Sequence, residues 1–203
     1  LGFTVGSLLI GCFIGAFSAA TLADSIGRRN VLRLAALLFL VGALIQGFAA
    51  NQLVFVLARI AGGISVGAAS VLSPAYISEV APAHIRGRMT TVQQIMVITG
   101  LTAAFVVNYF LAQAAGASTN IWWAGLEAWR WMYLMQAVPA AVFLVALFFI
   151  PESPRFLVSK GRHDEAGGVL TRLFGQVTAQ AKLVEIQNSF AGSRPPSLSD
   201  VRA

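Results

Sequence analysis

Long stretches without a charged residue make up most of the chain. These stretches are 1–23, 34–58, 60–78, 89–126 and 131–151. An α-helix of about 20 apolar residues crosses a bilayer, because each residue adds ~1.5 Å to the path through a hydrocarbon core ~30 Å thick. The pattern therefore predicts an all-α membrane protein with five transmembrane helices. Their expected positions are 1–23, 32–50, 53–79, 89–112 and 129–150.

The composition agrees with this pattern. Hydrophobic residues make up 57% of the chain and charged residues 11%, and the mean hydropathy is +0.76. An ordinary soluble domain carries about 25% charged residues. The sequence therefore excludes a soluble globular domain and predicts a lipid bilayer as the surroundings.

The net charge of +6 comes from basic residues at one end of the predicted bundle. Two connections and the start of the tail hold most of them: Arg28, Arg29, Arg33, Arg86, Arg88, Arg155, Lys160 and Arg162. The other two connections carry only Arg130. Basic residues concentrate in cytoplasmic loops of membrane proteins. We therefore expect the basic loops and the C-terminal segment in the cytoplasm, and no nucleic-acid partner.

Residues that carry catalysis or bind metals are sparse and scattered. Cys12 is the one cysteine, and the two histidines, His84 and His163, lie far apart without metal-ligand spacing. The sequence has no nucleophile–base set, no metal cluster and no phosphate-binding loop. It therefore predicts no enzyme, no metal site and no cofactor.

Small residues four positions apart recur in the first and third predicted helices. The pairs are Gly2/Gly6, Gly11/Gly15 and Gly63/Gly67. In a membrane such pairs let two helix backbones approach closely. We therefore expect helix-packing faces at these glycines.

The order of residues around the third helix is more specific. Arg59 and Gly62 are followed at fixed spacings by Pro74, Tyr76, Glu79, Pro82, Arg86 and Gly87. The same chain contains Leu22-Ala23-Asp24 with Gly27-Arg28-Arg29, then Trp129-Arg130-Trp131-Met132, and Pro151-Glu152-Ser153-Pro154-Arg155. Together these motifs resemble the sugar porter family of the major facilitator superfamily, over nearly the whole chain.

The resemblance implies that the chain is part of a larger carrier. Residues 1–151 then hold transmembrane helices two to six of the N-terminal bundle. Residues 152–203 form a cytoplasmic helical segment and a linker. The first helix and the C-terminal half of the same protein are the expected partners.

Three acid–base couples stand at the basic end of the bundle. The sequence pairs Asp24 with Arg28 and Arg29, Glu79 with Arg86 and Arg88, and Glu152 with Arg155. In the resembled family such couples form a gating network that ties the two halves together on the cytoplasmic side. Individually, ion pairs at a solvated rim are weak, which suits a contact that opens in every transport cycle.

Arg59 lies nearly two turns inside an apolar stretch. An ionisable group at such a depth is a functional hypothesis. The alternative is that its side chain extends to the outer interface. In proton-coupled relatives the matching arginine faces the cavity and pairs with an acid on the first helix, which makes Arg59 the proton-coupling candidate.

Gln94 follows Gly87 by seven residues, the spacing at which the resembled family has a glutamine that binds sugar hydroxyls. It lies eight residues after Arg86, roughly 12 Å along the helix, and so near the bilayer midplane where transporter substrates bind. An amide both donates and accepts, as a hydroxyl does. The alternative is an interhelical hydrogen bond, which we expect for Gln93 instead.

After the last span, local signals predict three short helices. Ser153 caps the first with Pro154 in its first turn and Gly161 at its end; Asp164 begins the second and Gly175 ends it; Thr178 begins the third. Residues 192–197 are typical of a linker.

The sequence thus predicts a secondary transporter in the cell membrane that moves a monosaccharide, a hexose or a pentose, by alternating access. It works either as a proton symporter or as a facilitator. Two alternatives stay open, namely a related carrier of a non-sugar solute and a sugar sensor that does not transport.

Overall fold

The computed structural model describes residues 2–191, which form nine α-helices. The helices are α1 (Gly2–Ile26), α2 (Arg28–Phe48), α3 (Gln52–Val80), α4 (Ala83–Ala115), α5 (Ala128–Met135), α6 (Ala137–Phe149), α7 (Pro154–Ser159), α8 (His163–Phe174) and α9 (Gln176–Ala191). Within the described range the β-structure is limited to one isolated bridge, between Ile121 and Glu127. The all-α prediction is confirmed.

Five helical segments in this part of the chain are long and apolar enough to cross a membrane. They are α1, α2, α3, α4 and the combined α5–α6 segment, Ala128–Phe149. The predicted and observed spans correspond one to one. The largest difference is α4, which begins at Ala83 rather than near 89, because Arg86 and Arg88 continue the helix and Pro82 marks its start.

The fifth span is broken rather than continuous. α5 ends at Met135 and α6 begins at Ala137, with Gln136 between them. Pro139 has no backbone N–H and therefore cannot bond the carbonyl of Met135, four residues earlier. The interruption lies about one turn before the proline, beside the carbonyl that loses this hydrogen bond.

Glycines bring α1 and α3 into direct backbone contact. A β-carbon on Gly11 would overlap the Ile60 carbonyl oxygen, and one on Gly63 would overlap that of Leu8. Gly15 and Gly67 are equally close to the backbone of the partner helix. The predicted packing faces at Gly11/Gly15 and Gly63/Gly67 are confirmed, whereas Gly2 and Gly6 have no neighbour within 4 Å among the described residues.

The bundle core is built from small side chains near its basic end. Its buried members come from α1, α2, α3 and α6: Ala19, Ala23, Val31, Leu32, Ala35, Ala36, Ala68, Leu72 and Leu147. α4 contributes little to the packing, since Leu111 is its one buried residue within the described range. Most of the surface of α4 therefore faces outward from this part of the bundle.

The three helices after the bundle lie where the local signals predict them, but α8 begins at His163 rather than Asp164 and α9 at Gln176 rather than Thr178. The Ser153 hydroxyl caps α7, Gly161 and Gly175 follow α7 and α8 with positive φ, and Asp164 lies in the first turn of α8. Leu157, Val158 and Ala166 form their small core. The predicted linker at 192–197 lies outside the described residues.

Candidate functional site

The turn between α1 and α2 holds the first ion pairs of the basic end. Arg28 Nη1 lies 2.8 Å from Asp24 Oδ1, and Arg28 Nε lies 3.3 Å from Glu79 Oε2. The side chain of Asp24 is 71% exposed, whereas those of Arg28 and Glu79 are 18% and 12% exposed. Solvent screening weakens an exposed pair more than a buried one. The Arg28–Glu79 pair is therefore the stronger tie, and it joins α2 to α3.

Glu79 has a second partner on the segment that follows the bundle. The Ser153 hydroxyl donates a hydrogen bond of 2.5 Å to Glu79 Oε2. The same hydroxyl accepts from the Phe156 amide and so caps α7, and Ser153 is fully buried. Glu79 thus holds together the ends of α2 and α3 and the start of α7.

Glu152 stabilises the start of α2 from a distant part of the chain. Its Oε1 accepts hydrogen bonds of 3.0 Å from the backbone amides of Arg29 and Ser153. Gly27 precedes α2 and has no side chain to cap it. A carboxylate at a helix N-terminus satisfies free N–H groups and is favoured by the helix dipole. Glu152, which is 8% exposed, therefore caps α2 from a distant part of the same chain.

Gly27 permits this arrangement. Its φ is 99°, in the region that favours glycine, and a β-carbon there would overlap the carboxylate of Glu152. The tight turn predicted at Gly27 is present, and it also makes room for the cap.

The structure corrects one of the three predicted couples and changes the detail of another. The Asp24–Arg28 pair is present, but the guanidinium of Arg29 donates instead to the Ile150 carbonyl oxygen at 3.1 Å. Glu79 is bound by Arg28 and Ser153 rather than by Arg86 or Arg88, because the packed ends of α2, α3 and α7 meet at its carboxylate. Glu152 accepts from the backbone amides of Arg29 and Ser153, and its pairing with Arg155 stays a prediction.

The remaining basic residues lie around the same carboxylates. Arg86 and Arg155 line a cavity of 320 Å³ together with Glu79. A second cavity, of 350 Å³, has Asp24, Glu79 and Arg155 in its wall. Arg86, Arg88 and Arg155 are all exposed. Seven of the eight predicted network residues thus either contact one another or line these cavities. Arg88, on α4, does neither among the described residues.

Two members of this network were missed in the sequence. Ser153 was recognised as a helix cap, but its contact with Glu79 spans 74 residues. The Tyr76 hydroxyl donates to the Pro151 carbonyl oxygen at 2.8 Å. Both residues belong to motifs quoted above, and the fixed spacing of those motifs was the available signal.

Arg59 lies at the other end of the bundle, in an aromatic pocket. Its Nη1 donates a hydrogen bond of 2.7 Å to the Tyr133 hydroxyl. The guanidinium carbon is 5.8 Å from the ring centres of both Phe55 and Tyr133, within the range of a cation–π contact. Arg59 Nε is buried and has no hydrogen-bond partner in the described part of the chain.

This pocket has a volume of 470 Å³ and lies between the start of α3, α5 and the turn after α2. A buried guanidinium donor without an acceptor is costly. Arg59 therefore has room and hydrogen-bonding capacity for a further acceptor, in addition to Tyr133.

Gln93 and Gln94 lie on different faces of α4. Gln93 is half-buried and Gln94 is exposed. Leu111, the one buried residue of this helix within the described range, lies on the face of Gln93, since residues about 100° apart bring the two positions to the same side after five turns. Gln94 is eleven residues after the start of α4, roughly 16 Å along its axis. Its role as a sugar ligand stays a prediction.

The family follows from a comparison with known proteins. A family model described as "Sugar (and other) transporter" matches residues 1–202. The chain therefore belongs to the sugar porter family of the major facilitator superfamily, and its helices form part of the N-terminal half of that fold.

Individual relatives agree with this assignment. The chain is 40% identical over 201 residues to the glucose transport protein of Synechocystis sp.. That alignment covers 98% of this chain and 43% of the Synechocystis protein. The chain is 37% identical over 215 residues to the D-xylose-proton symporter of Escherichia coli K12, which covers 96% of this chain and 42% of that protein. The chain thus spans less than half the length of these relatives.

Solved structures give the same fold. The proton:xylose symporter XylE bound to 6-bromo-6-deoxy-D-glucose matches with a TM-score of 0.87 and 36% identity. That match covers 96% of this chain and 44% of the symporter. The inward-open conformation of XylE from Escherichia coli matches with a TM-score of 0.82. The chain is therefore part of a multi-pass membrane protein with this fold.

Proposed function

We propose that the whole protein is a secondary transporter that moves a monosaccharide, a hexose or a pentose, across the cell membrane by alternating access. The observation that carries this proposal is the match to a sugar symporter structure over 96% of the chain with a TM-score of 0.87. The named relatives support the substrate class, since they include a glucose transport protein and two pentose–proton symporters.

The proposal includes a coupled proton and no cofactor. Arg59 supports the coupling: its Nε is buried without a partner in the described residues, and its pocket has space for an acid from the rest of the protein. A carboxylate there would be ion-paired when charged and would release Arg59 when protonated. Protonation would thereby change a contact between helices, which is the step that symport needs.

The orientation is part of the proposal. Positive residues collect at the Arg28 and Arg86 end, so the positive-inside rule puts that end and the segment from 152 onward in the cytoplasm. Residues 1–151 then serve as the membrane bundle and 152–203 as the connection to the C-terminal half.

Uptake by the full-length protein in liposomes tests the function. We expect D-glucose or D-xylose to enter vesicles that contain the protein, and an inward proton gradient to drive accumulation above the outside concentration. Protein-free vesicles are the control. Uptake without accumulation would indicate a facilitator, and binding of sugar without uptake would indicate a sensor. Failure to bind or take up any monosaccharide would contradict the proposal and favour another solute.

We also propose that the basic end is a gate. Glu79, Arg28 and Ser153 form its inner part, with Arg29 and Glu152 beside them. The more exposed Asp24, Arg86 and Arg88 lie where the C-terminal half would meet this end, and Arg155 lines the cavity beside Glu79. Breaking contacts that exist in one conformation biases the equilibrium between conformations.

Glu79→Gln is expected to slow sugar transport roughly tenfold, equivalent to about 1.4 kcal/mol, while sugar affinity changes by less than about twofold. The amide keeps the size of the side chain but removes the charge that pairs with Arg28. Transport rate and equilibrium binding should be measured on the same preparation.

Asp164→Asn is the matched control, since Asp164 is an exposed acid at the same end, in the first turn of α8, and lines none of the cavities around Glu79. An equal loss of transport in both variants would show that net charge matters rather than the Glu79 contacts. An equal loss of binding and transport in Glu79→Gln, with unfolded protein, would show a structural role only.

A further inference from the structure

A separate cavity of 450 Å³ lies between the α1–α2 turn, the end of α6, and helices α7 and α8. The charged residues that line it are Arg29, Lys160, Arg162, Arg172, Glu152 and Glu165. Four of these are cationic and two are anionic, so the wall carries a surplus of two positive charges. It shares Arg29 and Glu152 with the gate, but no described residue of α9 lines it, unlike the cavity beside Glu79.

Both carboxylates in this wall are already engaged. Glu165 accepts two hydrogen bonds from Arg162, at 2.7 and 2.6 Å. These bonds raise the pKa of Arg162. Glu152 is occupied by the amides of Arg29 and Ser153. The Arg162–Glu165 pair is neutral overall, so Arg29, Lys160 and Arg172 are opposed by the single negative charge of Glu152, and the surplus of two positive charges remains.

The cations retain hydrogen-bonding capacity. The Arg29 guanidinium lines the cavity and donates from Nη1 to the Ile150 carbonyl oxygen, which leaves its other terminal N–H groups for a ligand. The Lys160 ammonium lies 5.6 Å from the centre of the Phe156 ring, a contact that uses none of its N–H donors on an oxygen. Arg172 is exposed on α8. Such a set of donors suits an anion with several oxygens, since guanidinium and ammonium groups bind phosphate through charge-assisted hydrogen bonds.

The cavity lies where the membrane surface meets the basic end. Phe148 and Phe149, just before Pro151 in its wall, are 62% and 84% exposed, and Ile26 beside the turn is 39% exposed. Arg33 lies over the Phe148 ring, 4.4 Å from its centre. Exposed apolar side chains of spanning helices face lipid, and cations just beyond them lie at headgroup depth. The cavity is therefore within reach of lipid phosphates.

We propose that this cavity is a binding site for a phosphate group, carried either by the headgroup of an anionic phospholipid or by a soluble phosphorylated compound. Arg29, Lys160 and Arg172 are the ligands, and the Arg162–Glu165 pair forms a fixed side of the wall. The site is separate from sugar binding, which is expected near Gln94 in the middle of the membrane.

The test is lipid binding to the purified, delipidated full-length protein. We expect fluorescent phosphatidylglycerol to bind more tightly than phosphatidylcholine. The double variant Lys160→Gln/Arg172→Gln should weaken phosphatidylglycerol binding about 30-fold, since one cation near a membrane surface contributes about fivefold. The conservative variant Lys160→Arg/Arg172→Lys should retain binding, which separates loss of the site from loss of the fold.

The matched control is Arg88→Gln/Lys182→Gln, which removes the same charge at the same end but outside this cavity. Competition with inorganic phosphate and glucose 6-phosphate identifies the source of the group. Binding of these compounds alone, with the same dependence on Lys160 and Arg172, would assign the site to a soluble ligand. Equal loss in the two double variants, or no preference for any phosphate probe over phosphatidylcholine, would overturn the proposal.

Discussion

Gly63→Leu is expected to prevent the accumulation of folded protein, or to lower the melting temperature of what remains by roughly 10 °C. At Gly63 even a β-carbon would overlap the Leu8 carbonyl oxygen across the α1–α3 contact. The overlap is with backbone, which cannot rotate away as a side chain can. A leucine therefore forces the two helices apart and removes contacts along their whole length. Yield after detergent extraction and thermal unfolding of the full-length protein measure the effect.

Gly168→Leu provides the comparison, because Gly168 is also helical and has no neighbour within 4 Å among the described residues. We expect it to fold normally, and Gly63→Ala to give an intermediate loss. Normal stability of Gly63→Leu would mean that α1 and α3 are not packed backbone to backbone in the whole protein.

Gln94→Ala is expected to weaken sugar binding by about ten- to a hundredfold, with normal insertion and stability. If Gln94 binds a sugar hydroxyl, loss of its amide leaves that hydroxyl buried without a partner, which costs roughly 1–3 kcal/mol. The exposure of Gln94 makes a purely structural loss small, because no packing in this half depends on it. Binding titration on purified full-length protein gives the affinity.

Gln93→Ala is the internal control for the register of α4. Gln93 lies about 100° around the helix and is half-buried, so its loss should affect stability more than affinity. If Gln93→Ala weakens sugar binding and Gln94→Ala does not, the prediction has assigned the sugar site to the wrong face of this helix.

The helices were predictable because their signals are local. Apolar length defines the five spans, and Gly161 and Gly175 mark ends that the structure reproduces. The break at Gln136 was not predicted: Pro139 indicated a weak point, but whether a helix bends or stops depends on its neighbours.

The partners at the basic end were less predictable. The Glu79–Ser153 bond spans 74 residues and the Glu152–Arg29 bond spans 123. The prediction pairs each acid with a base that is near it along the chain. In the fold, the partner of an acid is a group on another helix end that packs beside it. The surroundings of Gln94 and Arg59 depend further on the parts of the carrier that this chain does not contain.

The cap on α2 links the evolution of two distant positions. Glu152 binds a backbone amide, so the side chain at 29 is free to vary without loss of that bond. Position 27 is not free to vary, since any β-carbon there would occupy the space that the carboxylate of Glu152 fills. Covariation among homologues should therefore couple 27 with 152 rather than 29 with 152, and a charge swap between Arg29 and Glu152 should not be a neutral exchange.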